Sequence, residues 1–234
     1  MKYEIYGQPF SAVEISLNNG EGMYTQAGGL AWMDPEISME TNARGGLMKS
    51  LGRLLTGESL FLATYRAEKQ DAKITFSANF PGEIKPFVID ETHEYIAQKG
   101  CFLCATEGVE IDTTINKKFS TGLFGGEGFL MQRYHGNGML FAEIDGSVKE
   151  VDLLPGQTIK VDTGNLAIFE SAVNYNIETV KGFKNILFGG EGLFLTTLTG
   201  PGKVWLQTLT AQDMAARLQP YMPKTEVSVK SGNN

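Results

Sequence analysis

Among its 234 residues the chain has two histidines and two cysteines. That scarcity removes much chemistry at once. Two cysteines make no disulfide framework, and Cys101-Phe102-Leu103-Cys104 has no second pair to complete a zinc site. Residues three apart on a strand point to opposite faces, so these cysteines are expected as small core side chains. His93 and His135 fall short of the clustered His and carboxylate ligands that a cupin-type metal site on a small β-barrel needs. They are expected as surface histidines, His135 near a hairpin tip, and no metal or cofactor is expected. There is no run of about 18 apolar residues, so no helical membrane span is expected. The start, Met1-Lys2-Tyr3-Glu4-Ile5, lacks an apolar signal region, and a cytoplasmic location is the expectation. Positive charge is also sparse: the net charge is −7 and the longest basic run is Lys117-Lys118. Nucleic-acid binding rests on Lys and Arg neutralising phosphates, so no nucleic-acid partner is expected.

Glycine is plentiful, at 28 residues, and its placement is ordered. Leu187-Phe188-Gly189-Gly190-Glu191-Gly192-Leu193 matches Leu123-Phe124-Gly125-Gly126-Glu127-Gly128-Phe129, and Leu54-Leu55-Thr56-Gly57-Glu58-Ser59-Leu60 is a more distant copy. A second landmark precedes each signature: Gly28-Gly29-Leu30-Ala31-Trp32, Gly100-Cys101-Phe102-Leu103-Cys104 and Gly164-Asn165-Leu166-Ala167-Ile168. The first landmarks are 72 and 64 residues apart (28 to 100, 100 to 164), the signatures 69 and 64 apart (58 to 127, 127 to 191). Two landmarks that keep step imply three fused pseudo-repeats near 1–80, 81–144 and 145–209. A C-terminal helix and tail over 210–234 follows, and the whole is expected to be one compact domain. A chain this long buries about 70–75% of the surface exposed when unfolded, enough for a core without staples.

Each repeat reads as strands. Ile37-Ser38-Met39-Glu40, Val109-Glu110-Ile111-Asp112, Val173-Asn174-Tyr175-Asn176, Ile74-Thr75-Phe76-Ser77 and Val204-Trp205-Leu206-Gln207 alternate with the period of a half-buried strand. Asn18-Asn19-Gly20, Asp145-Gly146 and Leu154-Pro155-Gly156 are turn signals. An all-β barrel, jelly roll or sandwich is expected, because no regular helical crossovers separate the strands. Thr210-Ala211-Gln212-Asp213 has the form of a helix cap, which predicts a helix over Ala211 to Leu218, ended by Pro220 and Pro223. Lys49 to Leu55 is a second short helix or an ordered loop.

Gly125-Gly126-Glu127-Gly128 and Gly189-Gly190-Glu191-Gly192 lack the lysine, the Ser/Thr and the helix of a P-loop, and no G-x-S-x-G elbow exists. Their glycines are expected at bends entering strands. Glu58, Glu127 and Glu191 recur once per repeat and are the candidate ligand-binding carboxylates. They either accept backbone N–H bonds at the bends or gather around a hard cation. Arg44, Lys49 and Arg53 are the candidate partner surface, in the segment where the copies differ most.

The segments Leu51-Gly52-Arg53-Leu54-Leu55-Thr56-Gly57-Glu58-Ser59-Leu60-Phe61-Leu62, Val161-Asp162-Thr163-Gly164-Asn165-Leu166, Phe188-Gly189-Gly190-Glu191-Gly192-Leu193 and Gly200-Pro201-Gly202-Lys203-Val204-Trp205 carry a resemblance. The chain resembles a broad family of uncharacterised bacterial proteins that includes the yeast mitochondrial-biogenesis protein named for altered inheritance of mitochondria. The resemblance implies a fold similar to the tryptophan RNA-binding attenuation protein (TRAP-like), with β-sandwich units in proteins that form rings or trimers. It implies no catalytic residues to carry over. Together with the lack of convergent catalytic groups, it leads to the expectation of a non-enzymatic scaffold or interaction protein, assembled as a homotrimer. The alternative is a small-molecule or carbohydrate-binding protein or hydrolase with a carboxylate-lined cleft, for instance one pairing Glu127 with Asp162.

Overall fold

A computed structural model describes residues 1–26, 28–40, 62–115, 130–179 and 194–223. Nearly all of the regular structure is antiparallel β. An N-terminal strand, β1 (Lys2–Tyr6), precedes β2 (Ala12–Leu17), β3 (Gly22–Gln26), β4 (Leu30–Met33), β5 (Ile37–Glu40), β6 (Leu62–Ala67) and β7 (Ala72–Ser77). Six more follow: β8 (Gly82–Ile89), β9 (Tyr95–Gln98), β10 (Phe102–Thr106), β11 (Val109–Ile115), β12 (Leu130–Gly136) and β13 (Gly138–Asp145). The last six are β14 (Val148–Leu153), β15 (Thr158–Asp162), β16 (Leu166–Glu170), β17 (Asn174–Thr179), β18 (Phe194–Thr199) and β19 (Gly202–Gln207). The helix α1 (Ala211–Leu218) closes the order, over the residues that the cap and the prolines predict. Its first turn is held by the Asp213 amide, which donates to Thr210 Oγ1 at 3.0 Å.

One pairing scheme recurs along the chain. β2 pairs with β7, β8 with β13 and β14 with β19. β4 pairs with β7, β10 with β13 and β16 with β19, each with a register shift at one place: Leu30/Trp32, Phe102/Cys104 and Leu166/Ile168. Those shifts follow the landmarks Gly28, Gly100 and Gly164, so each glycine landmark leads into a β-bulge. The scheme divides the strands into three blocks, β2–β7, β8–β13 and β14–β19, and neighbouring blocks are joined by two further pairings, β3 with β10 and β9 with β16.

Coverage of both faces corrects the half-buried expectation for several strands. In β10, Phe102 and Ala105 enter one core cluster, with Tyr24, Tyr134 and Leu140, while Leu103 and Cys104 enter another, with Ile15, Met23 and Ile74. The extra residue breaks strict alternation, so consecutive residues share a face and both faces are covered. Val204 and Trp205 of β19 are likewise both buried. A third cluster gathers Leu166, Phe169, Val173, Leu198 and Val204. Turns sit where the sequence marks them. At Asn18-Asn19-Gly20 the Glu21 amide donates to the Asn18 carbonyl at 2.9 Å, and Gly20 takes φ +84°, a left-handed conformation that glycine adopts without a Cβ clash.

Candidate functional site

The junctions between blocks hold the most unusual polar chemistry in the described residues. Glu143 is on β13, in Leu140-Phe141-Ala142-Glu143-Ile144, and is only 6% exposed. Its Oε2 accepts the Asn79 amide at 2.8 Å and its Oε1 the side-chain amide of Gln26 at 3.4 Å. Gln26 ends β3 and Asn79 lies in the turn before β8, so one carboxylate ties the first block to the second. Burial is the main cause that pushes the Glu143 carboxyl up to about 7, partly offset by the Asn79 bond. Asp145, two residues on, is pushed up to about 6 by burial.

The next junction repeats the backbone-amide bond without the charge, while its glutamines turn to main-chain carbonyls. The Asp145 amide donates to Gln207 Oε1 at 3.3 Å, and Gln207 Nε2 donates to the Gly164 carbonyl at 2.8 Å. Gln98 Nε2 donates to the Thr163 carbonyl at 2.8 Å. Asn79 and Asp145 are 66 residues apart, Glu143 and Gln207 64, and Gln26 and Gln98 72 (79 to 145, 143 to 207, 26 to 98). A carboxyl near neutrality can trade protons. Here, however, both oxygens are engaged and the residue is almost closed to solvent. The arrangement latches the two blocks together through one carboxyl group.

The sequence-predicted site residues fall elsewhere. Glu58, Glu127, Glu191, Arg44, Lys49 and Arg53 lie outside the described residues, as does the short element expected over Lys49 to Leu55. Asp162, the carboxylate considered as a partner for Glu127, accepts the Gly164 amide at 3.0 Å and caps the short 3-10 turn Thr163–Asn165. His93 is exposed, and its Nδ1 is 2.9 Å from Asp90 Oδ1. His135 sits one residue before the β12–β13 turn, with Nε2 3.0 Å from Asp112 Oδ2. Among the described residues no three His, Cys, Asp or Glu side chains gather as a metal site requires.

Cys101 and Cys104 are buried and unpaired. They belong to different core clusters because Cys101 lies in the 3-10 turn Lys99–Cys101, ahead of the bulge, and Cys104 after it. Burial pushes both thiols well up, away from the reactive thiolate. Neither is expected to react with Ellman's reagent in the native protein, while both react in denaturant. Rapid native labelling would show that the core opens at β10.

Sequence reasoning passed over Glu143, Gln207 and the aligned glutamines. A signal was present: Gln26 and Gln98 each stand two residues before a landmark glycine, and Glu143 is a lone acid in an apolar run.

Comparison with known proteins gives a consistent picture. Residues 3–209 match the profile of a family described as Mitochondrial biogenesis AIM24. An uncharacterized protein of Streptococcus pyogenes serotype M6 is 30% identical over 222 residues, covering 92% of this chain and 88% of the relative. A crystal structure of a Streptococcus pyogenes protein superposes with a TM-score of 0.76 at 26% identity, covering 94% of this chain and 99% of that one. The helix α1 lies beyond the family match.

Proposed function

The chain belongs to the Mitochondrial biogenesis AIM24 family, and we propose that it acts as a non-enzymatic β scaffold, built from three fused copies of one six-stranded unit. The observation that carries this reading is the junction: the same strand pairing, and an aligned backbone-amide bond to Glu143 or Gln207, join successive blocks. The buried Glu143 carboxylate serves that join, with its oxygens engaged by the Asn79 amide and the Gln26 side-chain amide. The same reading takes the units as TRAP-like, the location as cytoplasmic and the assembly as a homotrimer, since repeated units with exposed edges favour closed association. No helix of the described residues is long and apolar enough to cross a membrane.

Sedimentation velocity and native mass spectrometry of the full chain test the assembly. The expected result at micromolar concentration is a discrete species of three chains. A monomer across the whole accessible range would overturn the scaffold reading.

A further inference from the structure

Two strand edges that the recurring scheme pairs elsewhere have no partner strand among the described residues, and they are complementary. The second strand of one block pairs with the third strand of the next: β3 with β10, and β9 with β16. The strand aligned with β3 and β9 in the last block is β15, which among the described residues pairs only with β18 and ends its sheet. The strand aligned with β10 and β16 in the first block is β4, which among the described residues pairs only with β7 and ends its sheet. Burial follows the pairing. Phe102, Leu103, Cys104 and Ala105 of β10, and Leu166, Ala167, Ile168 and Phe169 of β16, are all buried. In β4, Ala31 is exposed and Trp32 is 56% exposed, a large apolar ring in water on a sheet edge. β15 alternates between exposed and half-buried residues.

The cores show what is missing. The first cluster along the chain, around Ile15 and Ile74, takes in Leu103 and Cys104 from the following block. The next, around Phe102 and Tyr134, takes in Ala167 and Ile168 from the block after it. The last, around Phe169 and Leu198, has no following block, and Ile159 and Val161 of β15 lie at its rim only partly covered. The residues of the first block aligned with Leu103–Cys104 and Ala167–Ile168 are Ala31 and Trp32 (103 to 31 and 104 to 32, a step of 72).

Resting on the scaffold reading, we propose that β4 of one copy adds antiparallel to β15 of a second copy, placing Ala31 and Trp32 over the open rim of the last core. The register follows from the internal junctions. Cys104 faces Thr25 and Ile168 faces Ala97, so Trp32 faces Val161 and Met33 faces Lys160. The contact is heterologous, one edge of each kind per copy. It therefore propagates head to tail, closing into a ring where the rotation between copies permits. Main-chain bonds along the edge supply the strength, and burial of the indole against Ile159 and Val161 fixes the register.

Two variants test the junction, Trp32→Lys and Val161→Lys, each checked for retained β circular dichroism and cooperative melting. Each alone is expected to be monomeric. Mixed in equal amounts they are expected to form a one-to-one dimer, because each keeps the edge the other lacks. The emission of Trp32 is expected to shift to the blue when the wild-type protein assembles and back on dilution, whereas Trp205 is 7% exposed in the single chain and gives a constant background. If both variants assemble as the wild type does, the edge pairing fails while the scaffold reading stands. If the wild type is monomeric, both fail. If Trp32 emits in the blue independently of concentration, β4 and β15 close within one chain and the proposal is overturned.

Discussion

Glu143→Gln is expected to raise the melting temperature at pH 8 and to flatten the dependence of stability on pH between 5 and 8. The ordinary carboxyl value is 4.5, and burial lifts the folded value to about 7. Between those values the folded chain holds a proton that the unfolded chain has released. Stability is thus greatest below the unfolded value and falls as pH rises through the folded one. At pH 8 the wild type keeps a nearly buried negative charge, at a cost of about 3 kcal/mol. Glutamine removes the charge and keeps the acceptor for the Asn79 amide, as Gln207 does for the Asp145 amide at the next junction. Its amide nitrogen is expected to meet the carbonyl of Gly100, the residue aligned with Gly164. For a chain of this size the gain corresponds to about 5–10 °C. Asp145, lifted from 3.8 to about 6, leaves a shallower slope of the same sign at lower pH. Melting curves from pH 4 to 8 for both proteins decide it. A variant that parallels the wild type at lower stability would mean that the carboxylate's second acceptor bond, from Gln26, outweighs its desolvation.

Phe102→Ala is expected to cost about 3–5 kcal/mol, read as a lower urea midpoint with the slope unchanged. Phe102 is fully buried and lies between Tyr24 and Tyr134, with ring centroids at 5.4 and 6.2 Å. Tyr24 comes from the first block and donates its hydroxyl to the Val109 carbonyl at 2.9 Å. The ring therefore fills the core where two blocks meet, and removing it leaves a hole bounded by residues anchored on both sides. Leu30 aligns with Phe102 but is only half-buried on the open β4 edge, so Leu30→Ala is expected to cost much less in the isolated chain. Equal losses for the two would mean that β4 is already covered.

The latch was partly legible in the sequence. The steps of 72 and 64 residues align Gln26 with Gln98 and Glu143 with Gln207, and a closer reading of those positions would have raised the question of a junction. Their burial was not legible. Glu143 alternates with apolar neighbours as a solvent-facing strand residue does, and only the approach of Gln26 and Asn79, 117 and 64 residues away in the chain, closes it from water. The cysteines show a different gap. Opposite faces was the expectation and separate clusters are the finding, yet the cause is a 3-10 turn and a bulge rather than strand parity.

What the sequence alone determined is local. Alternation and turn residues dictate strands, and the Thr210 cap with Pro220 dictates the extent of α1, because backbone propensity and capping act within a few residues. What the tertiary structure decided is which side chains lose water. Trp32, Cys104 and Ile168 occupy aligned positions, yet the first is exposed and the others are buried. Burial depends on whether another block stands beside the strand, and no pattern within a strand records that.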